Sequence, residues 1–211
     1  IATQQFEVGD VDLTTESAWG VEGYLAGRIG AAQLNFAAYN LWFDDFIYLS
    51  GTGAQEDGLP VFEYLQQDAN WFGLEGEVRL PFVVSDGLKA TAELGGDYIE
   101  ARLANDEAIP RIPPASLFGA LELDRGSIGG RVEVRHTFAP GELAPFETPT
   151  AAFTMVDAAL TWRPLRGDNN VTVILQADNI FDAEGRRHAS FTKDFVPLAG
   201  RNVKLSVRTS F

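Results

Sequence analysis

Several residue types and patterns that mark common protein classes are missing from this sequence of 211 residues. It has no cysteine, which excludes disulfide frameworks, thiolate metal sites and cysteine nucleophiles. No apolar run reaches the ~18 residues that a transmembrane helix needs, so a helical membrane protein is excluded. Basic residues are few, 16 against 30 acidic ones, and the net charge of −14 would repel nucleic acid. We therefore expect no nucleic-acid partner.

Apolar and polar residues alternate along most of the chain, as they do in β-strands with two different faces. In the last stretch, 201–211, Val203 and Leu205 fall on one face. Lys204 and Arg208 fall on the other. The pattern predicts nine strands, each with one apolar and one charged or polar face. They lie at about 14–29, 32–49, 72–82, 88–98, 115–124, 131–138, 156–163, 171–178 and 201–211.

The connections between these predicted strands alternate in length. Short turns rich in Gly, Asp, Asn or Ser are predicted at 30, 85–87, 125–127 and 166–169. Long connections are predicted at about 50–60, 104–114, 139–150 and 182–196. Short turns on one side and long loops on the other are typical of an outer-membrane barrel. The pattern predicts a periplasmic C-terminus and first residues on the extracellular side.

Aromatic residues fit the same interpretation. Phe72 and Phe82 bracket one apolar face, and the ten tilted residue steps from one to the other cover roughly 26 Å of membrane. That span matches the ~25 Å apolar band between the aromatic girdles of such barrels. A soluble β-sandwich with an aromatic core is the alternative, but it seldom combines nine long strands with one uniformly charged face. The sequence favours an all-β, antiparallel transmembrane β-barrel of the outer-membrane type.

Nine strands do not make a complete barrel. Bacterial single-chain barrels have an even number of strands, and an open sheet would leave unpaired backbone groups in lipid. The first residues, IATQQFEVGD, also lack the basic and apolar segments of a signal peptide. These residues are therefore expected to be either the N-terminus of a mature protein or part of a longer protein. We expect the chain to pair with further strands, supplied by a missing N-terminal part of the same protein.

The C-terminal stretch 178–211 carries three short motifs in order. Asn179–Asp182 reads N-I-F-D, Pro197 and Gly200–Asn202 lead into the last predicted strand, and Phe211 is a terminal aromatic. In this order they resemble the closing hairpin of TonB-dependent receptors. Upstream, the segments FDDFIYL at 43–49 and QDANWFGLEGEV at 67–78 resemble middle hairpins of the same family.

The resemblance implies a 22-stranded barrel closed by an N-terminal plug. Residues 1–211 would supply about nine C-terminal strands, without the plug and the N-terminal strands. It further implies the bacterial outer membrane, no enzymatic activity, no cofactor, and Phe211 as part of the assembly signal. The implied partners are the remainder of the receptor, the TonB–ExbB–ExbD energy-coupling complex, the barrel-assembly machinery, and lipopolysaccharide with outer-membrane lipid.

The implied function is uptake of a scarce nutrient, most often a ferric siderophore or another metal chelate. A receptor for zinc or another metal, and a passive porin-type channel, are the alternatives. Ligands of such receptors meet the extracellular connections, where charge steers capture. A basic cluster suits an anionic chelate, and an acidic side suits a bare or cationic metal. The candidate substrate-binding residues are Arg186, Arg187, His188, Lys193, Asp44 and Asp45.

His188 is the candidate for a direct substrate or metal contact, and a solvated loop histidine is the alternative. We assign no metal site. Asp182, His188 and Ser190 could act as a hydrolase only through a chance arrangement, so we expect no catalytic residues.

Overall fold

The computed structural model describes residues 3–85, 87–165 and 170–210, which form β-strands joined by turns and loops. None of these residues belongs to a helix long and apolar enough to cross a membrane. Ten strands are present: β1 Phe6–Val8, β2 Ser17–Ile29, β3 Ala32–Glu56, β4 Leu59–Ser85, β5 Leu88–Leu103, β6 Ser116–Arg125, β7 Ile128–Thr137, β8 Phe153–Trp162, β9 Asn170–Asp178 and β10 Asn202–Ser210.

The strands form one sheet in which β2 to β10 follow each other in chain order. All of these neighbours are antiparallel, as the alternation predicts. β1 was not predicted. It is three residues long, too short for a periodic pattern, and it pairs in parallel with Val61–Glu63 of β4. The all-β, antiparallel fold is confirmed.

The register confirms the two faces of the sheet. Val132 of β7 lies directly opposite Leu121 of β6 and Ala158 of β8. Directly opposed residues share a face of the sheet. Glu133, its neighbour in the chain, lies opposite Ala120 and Asp157 on the second face. The apolar face is open, and Val132 exposes 49% of its surface. A soluble protein would bury such a face, so the sheet must meet an apolar environment.

The β3–β4 hairpin corrects one prediction. The stretch 50–60 is not a long loop, because β3 and β4 continue through it to a turn at Asp57 and Gly58. Both residues have positive φ, 50° and 77°, as a type I′ hairpin turn requires. The strands have 25 and 27 residues, and β5 pairs with β4 only from Ala69 onward. Residues 59–68 of β4 therefore project beyond β5.

The other long connections are confirmed, at 104–115, 138–152 and 179–201, all at the same end of the sheet. Short turns at 30–31 and 126–127 lie at the opposite end. The predicted turn at 166–169, together with Asp86 and Phe211, lies outside the described residues. The alternation of connection lengths therefore holds wherever the structure describes it, apart from the β3–β4 hairpin.

The closing motif acts as a structural tie between β9 and β10. Asn179 is 3% exposed, and its amide donates to the carbonyl oxygens of Ala183 and Ala199 at 2.9 and 3.2 Å. A carboxylate oxygen of Asp182 accepts the backbone N–H of Arg201 at 2.8 Å. These bonds fix where β10 starts, and they hold both ends of the connection 179–201 in place.

The sheet is open at both edges. β2 and β10 each have one hydrogen-bonded neighbour among the described residues, and every residue of β2 is exposed. An unpaired strand edge presents free N–H and C=O groups along its length.

Candidate functional site

The long-connection end of the sheet carries a group of packed loops, which we call the loop cap. It consists of the connections 104–115, 138–152 and 179–201 together with the projecting part of the β3–β4 hairpin, 46–68. The strands below place the starts and ends of these loops next to one another, because each loop joins neighbouring strands of one sheet.

Glu147 joins the three connections. One carboxylate oxygen, Oε1, accepts the backbone N–H of Arg111 at 2.8 Å and the ammonium of Lys193 at 2.9 Å. The same oxygen lies 3.2 Å from Nε2 of His188. The second oxygen, Oε2, accepts the backbone N–H of Ala144 at 3.2 Å. Its side chain is only 7% exposed, so this carboxylate is a buried junction and not a solvated charge.

Hydrogen bonding decides the protonation of this carboxylate. Burial alone raises the pKa of Glu147, but hydrogen bonds from His188, Lys193 and the Arg111 backbone outweigh it and lower the pKa from 4.5 to about 2. A lowered folded-state pKa stabilises the cap above the unfolded value, and this stability is lost as the pH falls from 4.5 towards about 2. At roughly 1.4 kcal/mol per pH unit between the two values, the loss is about 3 kcal/mol.

We therefore expect the loop cap to open at a higher pH than the pH at which the sheet unfolds. Pepsin should cleave within 138–152 and 179–201 increasingly as the pH is lowered through this window, after correction for pepsin activity on an unfolded peptide. Glu147→Gln should remove most of this pH dependence. Constant cleavage of the wild-type loops across the window would contradict the assignment.

His188 and Lys193 lie in the cap interior. They are 3% and 5% exposed, and beside the Glu147 contacts the Thr150 hydroxyl lies 3.1 Å from Nδ1 of His188. The alternative of a solvated loop histidine is therefore wrong. Both basic groups are held by one carboxylate across the cap, which the sequence pattern did not indicate.

The other predicted site residues lie apart from this junction. Arg186 contacts the Glu184 carboxylate at 3.0 Å and the Lys193 carbonyl oxygen at 2.7 Å, whereas Arg187 is exposed. Asp44 and Asp45 are also exposed, at the bulge where β3 enters the projecting hairpin. In the described part of the chain, no hydrogen bond or ion pair joins them to the basic cluster.

Arg111 is a cap residue that sequence reasoning missed. Its guanidinium stacks on the ring of Phe191, with 4.0 Å between Cζ and the ring centroid. Its backbone has a φ of 62°, an unusual conformation for a residue with a side chain. Such outliers persist only when the surroundings enforce them, and they are frequent at functional sites. The segment P-R-I-P-P around it carries no periodic signal, so only the structure reveals it.

Phe146 docks the connection 138–152 onto the hairpin. A Cβ atom added to Gly51 would lie 3.1 Å from Cβ of Phe146, and one added to Gly53 would lie 2.9 Å from a ring carbon. Only glycine allows this approach without displacement. The hairpin and the loops are therefore packed together at the top of the sheet.

Below the cap, the charged face of the sheet carries a ladder of ion pairs. Glu93 on β5 forms ion pairs with Arg79 on β4, at 3.1 Å, and with Arg131 on β7. Its side chain is 9% exposed although it lies on an open face, because the arginines cover it. The charged ladder comprises Arg79, Glu93, Glu122, Arg131, Glu133 and Arg135.

The described residues contain no group of three or more His, Asp or Glu side chains arranged to hold a metal ion. The groups gathered in the cap are a carboxylate, two basic side chains and a stacked guanidinium. Such groups bind charged organic molecules through hydrogen bonds and ion pairs.

The family described as TonB dependent receptor-like, beta-barrel matches residues 1–180. The chain therefore belongs to the TonB-dependent receptor β-barrel family, a family of outer-membrane transporters and receptors. The match includes the middle-hairpin segments 43–49 and 67–78 and ends at 180, so most of the closing hairpin at 178–211 lies beyond it. In an outer-membrane barrel the apolar face of the sheet meets lipid and the charged face meets the lumen.

Solved structures show the same fold. The copper transporter OprC matches at 19% identity and a TM-score of 0.78, over 94% of this chain and 33% of that one. The FrpB iron transporter from Neisseria meningitidis matches at 15% identity and a TM-score of 0.68, over 96% of this chain and 32% of that one. The ferric-catecholate import receptor Fiu from Escherichia coli matches at 16% identity and a TM-score of 0.65, over 94% of this chain and 28% of that one. The chain thus spans about a third or less of the length of these structures.

Proposed function

We propose that residues 1–211 are the C-terminal part of a 22-stranded receptor whose N-terminal strands and plug complete the barrel. The open edges of β2 and β10 support this proposal, because each presents a row of unpaired backbone groups that cannot remain unpaired in lipid. The charged ladder supports the plug, since paired charges on a lumen wall offer hydrogen-bond partners to a polar domain inside it.

We further propose that the complete receptor imports a scarce metal chelate by energy-dependent transport coupled to the TonB–ExbB–ExbD complex. The observation that carries this proposal is the loop cap, in which three connections are locked by Glu147 above the lumen. A passive channel needs an open mouth, whereas a receptor needs an ordered surface to capture its ligand. The barrel-assembly machinery, lipopolysaccharide and outer-membrane lipid are further proposed partners, and Phe211 remains the proposed assembly signal.

For the substrate we favour an anionic ferric chelate. Arg187 is exposed at the cap surface and brings positive charge to a strongly acidic chain. Arg186 is partly buried beside it and pairs with Glu184. Lys193 forms an ion pair with Glu147, and His188 contacts the same carboxylate, so we assign both residues the role of holding the loops that surround the ligand. Asp44 and Asp45 are the proposed contacts for a cationic metal, the alternative substrate.

Uptake of radioactive iron by cells that produce the full-length receptor tests this function. We expect accumulation from ferric citrate or a ferric catecholate that disappears when TonB is deleted or the proton gradient is collapsed. Uptake of copper or zinc instead of iron would favour the alternative substrates. Iron entry that persists without TonB would overturn energy-dependent transport and favour a passive channel.

A further inference from the structure

Arg111 carries a positive charge that its surroundings leave incompletely matched. Among the described residues, no carboxylate oxygen lies within ion-pair distance of its guanidinium, and its side-chain N–H groups have no hydrogen-bond acceptor. One face of the guanidinium is covered by Phe191. Its edge, with the N–H donors in a planar fork, remains available for an acceptor.

The two carboxylates that attract Arg111 electrostatically, Glu147 and Glu7, are both bonded to other groups. Glu147 binds Lys193 and His188. Glu7 accepts hydrogen bonds from Gln5 at 2.8 Å and from the Tyr64 hydroxyl at 2.9 Å.

Burial lowers the pKa of Arg111, and the attraction of Glu147, Glu7 and Tyr64 only partly offsets it. A guanidinium still keeps its proton in a protein. The result is a fixed cation that gains from an added anion.

Arg111 lines a cavity of about 160 Å³ that is bounded by the hairpin, residues 3–5 and all three connections of the cap. Whole drug-sized ligands occupy ~300–1,000 Å³, so this cavity accommodates one appendage of a larger molecule. Its apolar walls include Phe62, Pro110, Pro145, Phe146, Phe191 and Phe195, and the charged residues Lys193, Glu147 and Asp194 also line it.

We propose that Arg111 forms a subsite for an aromatic carboxylate appended to the imported chelate. The carboxylate accepts paired hydrogen bonds from the fork of the guanidinium, a geometry that arginine favours. The ring lies among the phenylalanine and proline side chains of the cavity. This inference rests on the proposed function, because it names the chemical group by which the cap would recognise its substrate.

Benzoate serves as the probe, and benzamide, which has the same shape without the charge, as its control. Binding to the detergent-solubilised full-length receptor is followed by saturation-transfer NMR titration. We expect benzoate to bind and benzamide to bind much more weakly. Arg111→Gln should weaken benzoate binding by about 10- to 100-fold, the loss expected for a charged hydrogen-bonded pair. The affinity of Arg111→Lys for benzoate should lie between those of the wild type and Arg111→Gln, since lysine keeps the charge but not the planar fork of N–H donors.

Arg102→Gln is the matched control. Arg102 lies on the neighbouring β5, carries the same charge, and pairs with Glu100 and Glu142 at 2.7 and 2.8 Å outside the cavity. It should leave benzoate binding unchanged. Absence of benzoate binding, equal binding of benzamide, or equal weakening by Arg102→Gln would each overturn the subsite.

The two proposals fail separately. Iron uptake without benzoate binding would contradict only the proposed subsite. Benzoate binding that depends on Arg111, without iron uptake, would remove only the proposed transport function.

Discussion

Glu147→Ala should open the loop cap while the sheet below stays folded. The variant leaves Lys193 and His188 buried without their carboxylate, and it frees the backbone N–H groups of Arg111 and Ala144. Removing one partner of a buried ion pair costs about 3–5 kcal/mol, because the other charge is left uncompensated. Hydrogen exchange should therefore accelerate within 138–152 and 179–201, and protection of β5 to β8 should be retained.

Two further variants sharpen this test. Glu147→Gln keeps the shape and some of the hydrogen bonds, so its effect should be smaller. Glu142→Ala removes a carboxylate from the same connection, but Glu142 is exposed and bonded to Arg102, so exchange in the cap should change little. Unaltered protection in Glu147→Ala, or the same loss in Glu142→Ala, would show that Glu147 is not the junction.

Val207→Lys should destabilise the barrel by about 2–4 kcal/mol, the penalty for a lysine on the lipid face near the bilayer midplane. Val207 lies opposite Val173 on the apolar face and is 62% exposed. Lipid, and not protein, therefore surrounds this side chain. Unfolding by denaturant in liposomes, with the full-length receptor, measures the difference in stability.

Ser206→Lys is the control one residue away. Ser206 lies opposite Ile174 on the lumen face, where a lysine ammonium stays hydrated, so the change should be nearly neutral. Equal destabilisation by both lysines would mean that the two faces of β10 are not lipid and lumen.

The faces of the strands were predictable because the physical rule is local. Successive side chains of a strand point to opposite faces, so Val132 and Glu133 reveal their environments by their types alone. The connections at 104–115, 138–152 and 179–201 were predictable for a related reason, since they interrupt the alternation. The short β1 was not, because its parallel pairing with β4 depends on the fold and not on its three residues.

The β3–β4 hairpin shows where this reasoning stops. Its ladder shifts register between Phe43 and Phe46 and again between Gly51 and Gln55. The first shift sets three residues against two and so reverses the period of two, and the second interrupts the pairing. The Asp57–Gly58 pair was nevertheless a clear hairpin signal. Giving the turn chemistry more weight than the broken alternation would have extended both strands to the tip.

The candidate site was only partly predictable. The sequence shows that 182–196 is basic and that 139–150 is acidic, but not that Glu147 meets Lys193 from 46 residues away. Charged residues in loops are usually solvated, so burial of His188 and Lys193 could not be inferred from their types. Contacts between loops depend on how the strands below position them.

The consecutive order of β2 to β10 also bears on how this chain folds. Each strand from β3 to β10 pairs with the one before it, so each hairpin joins strands that are consecutive in the chain and needs no partner from a distant segment. Until closure the sheet exposes two edges, that of β2 and that of the latest strand, and both are open to aggregation. Closure against the proposed N-terminal strands is the long-range step, and by the same relation between contact order and rate we expect it to be the slowest.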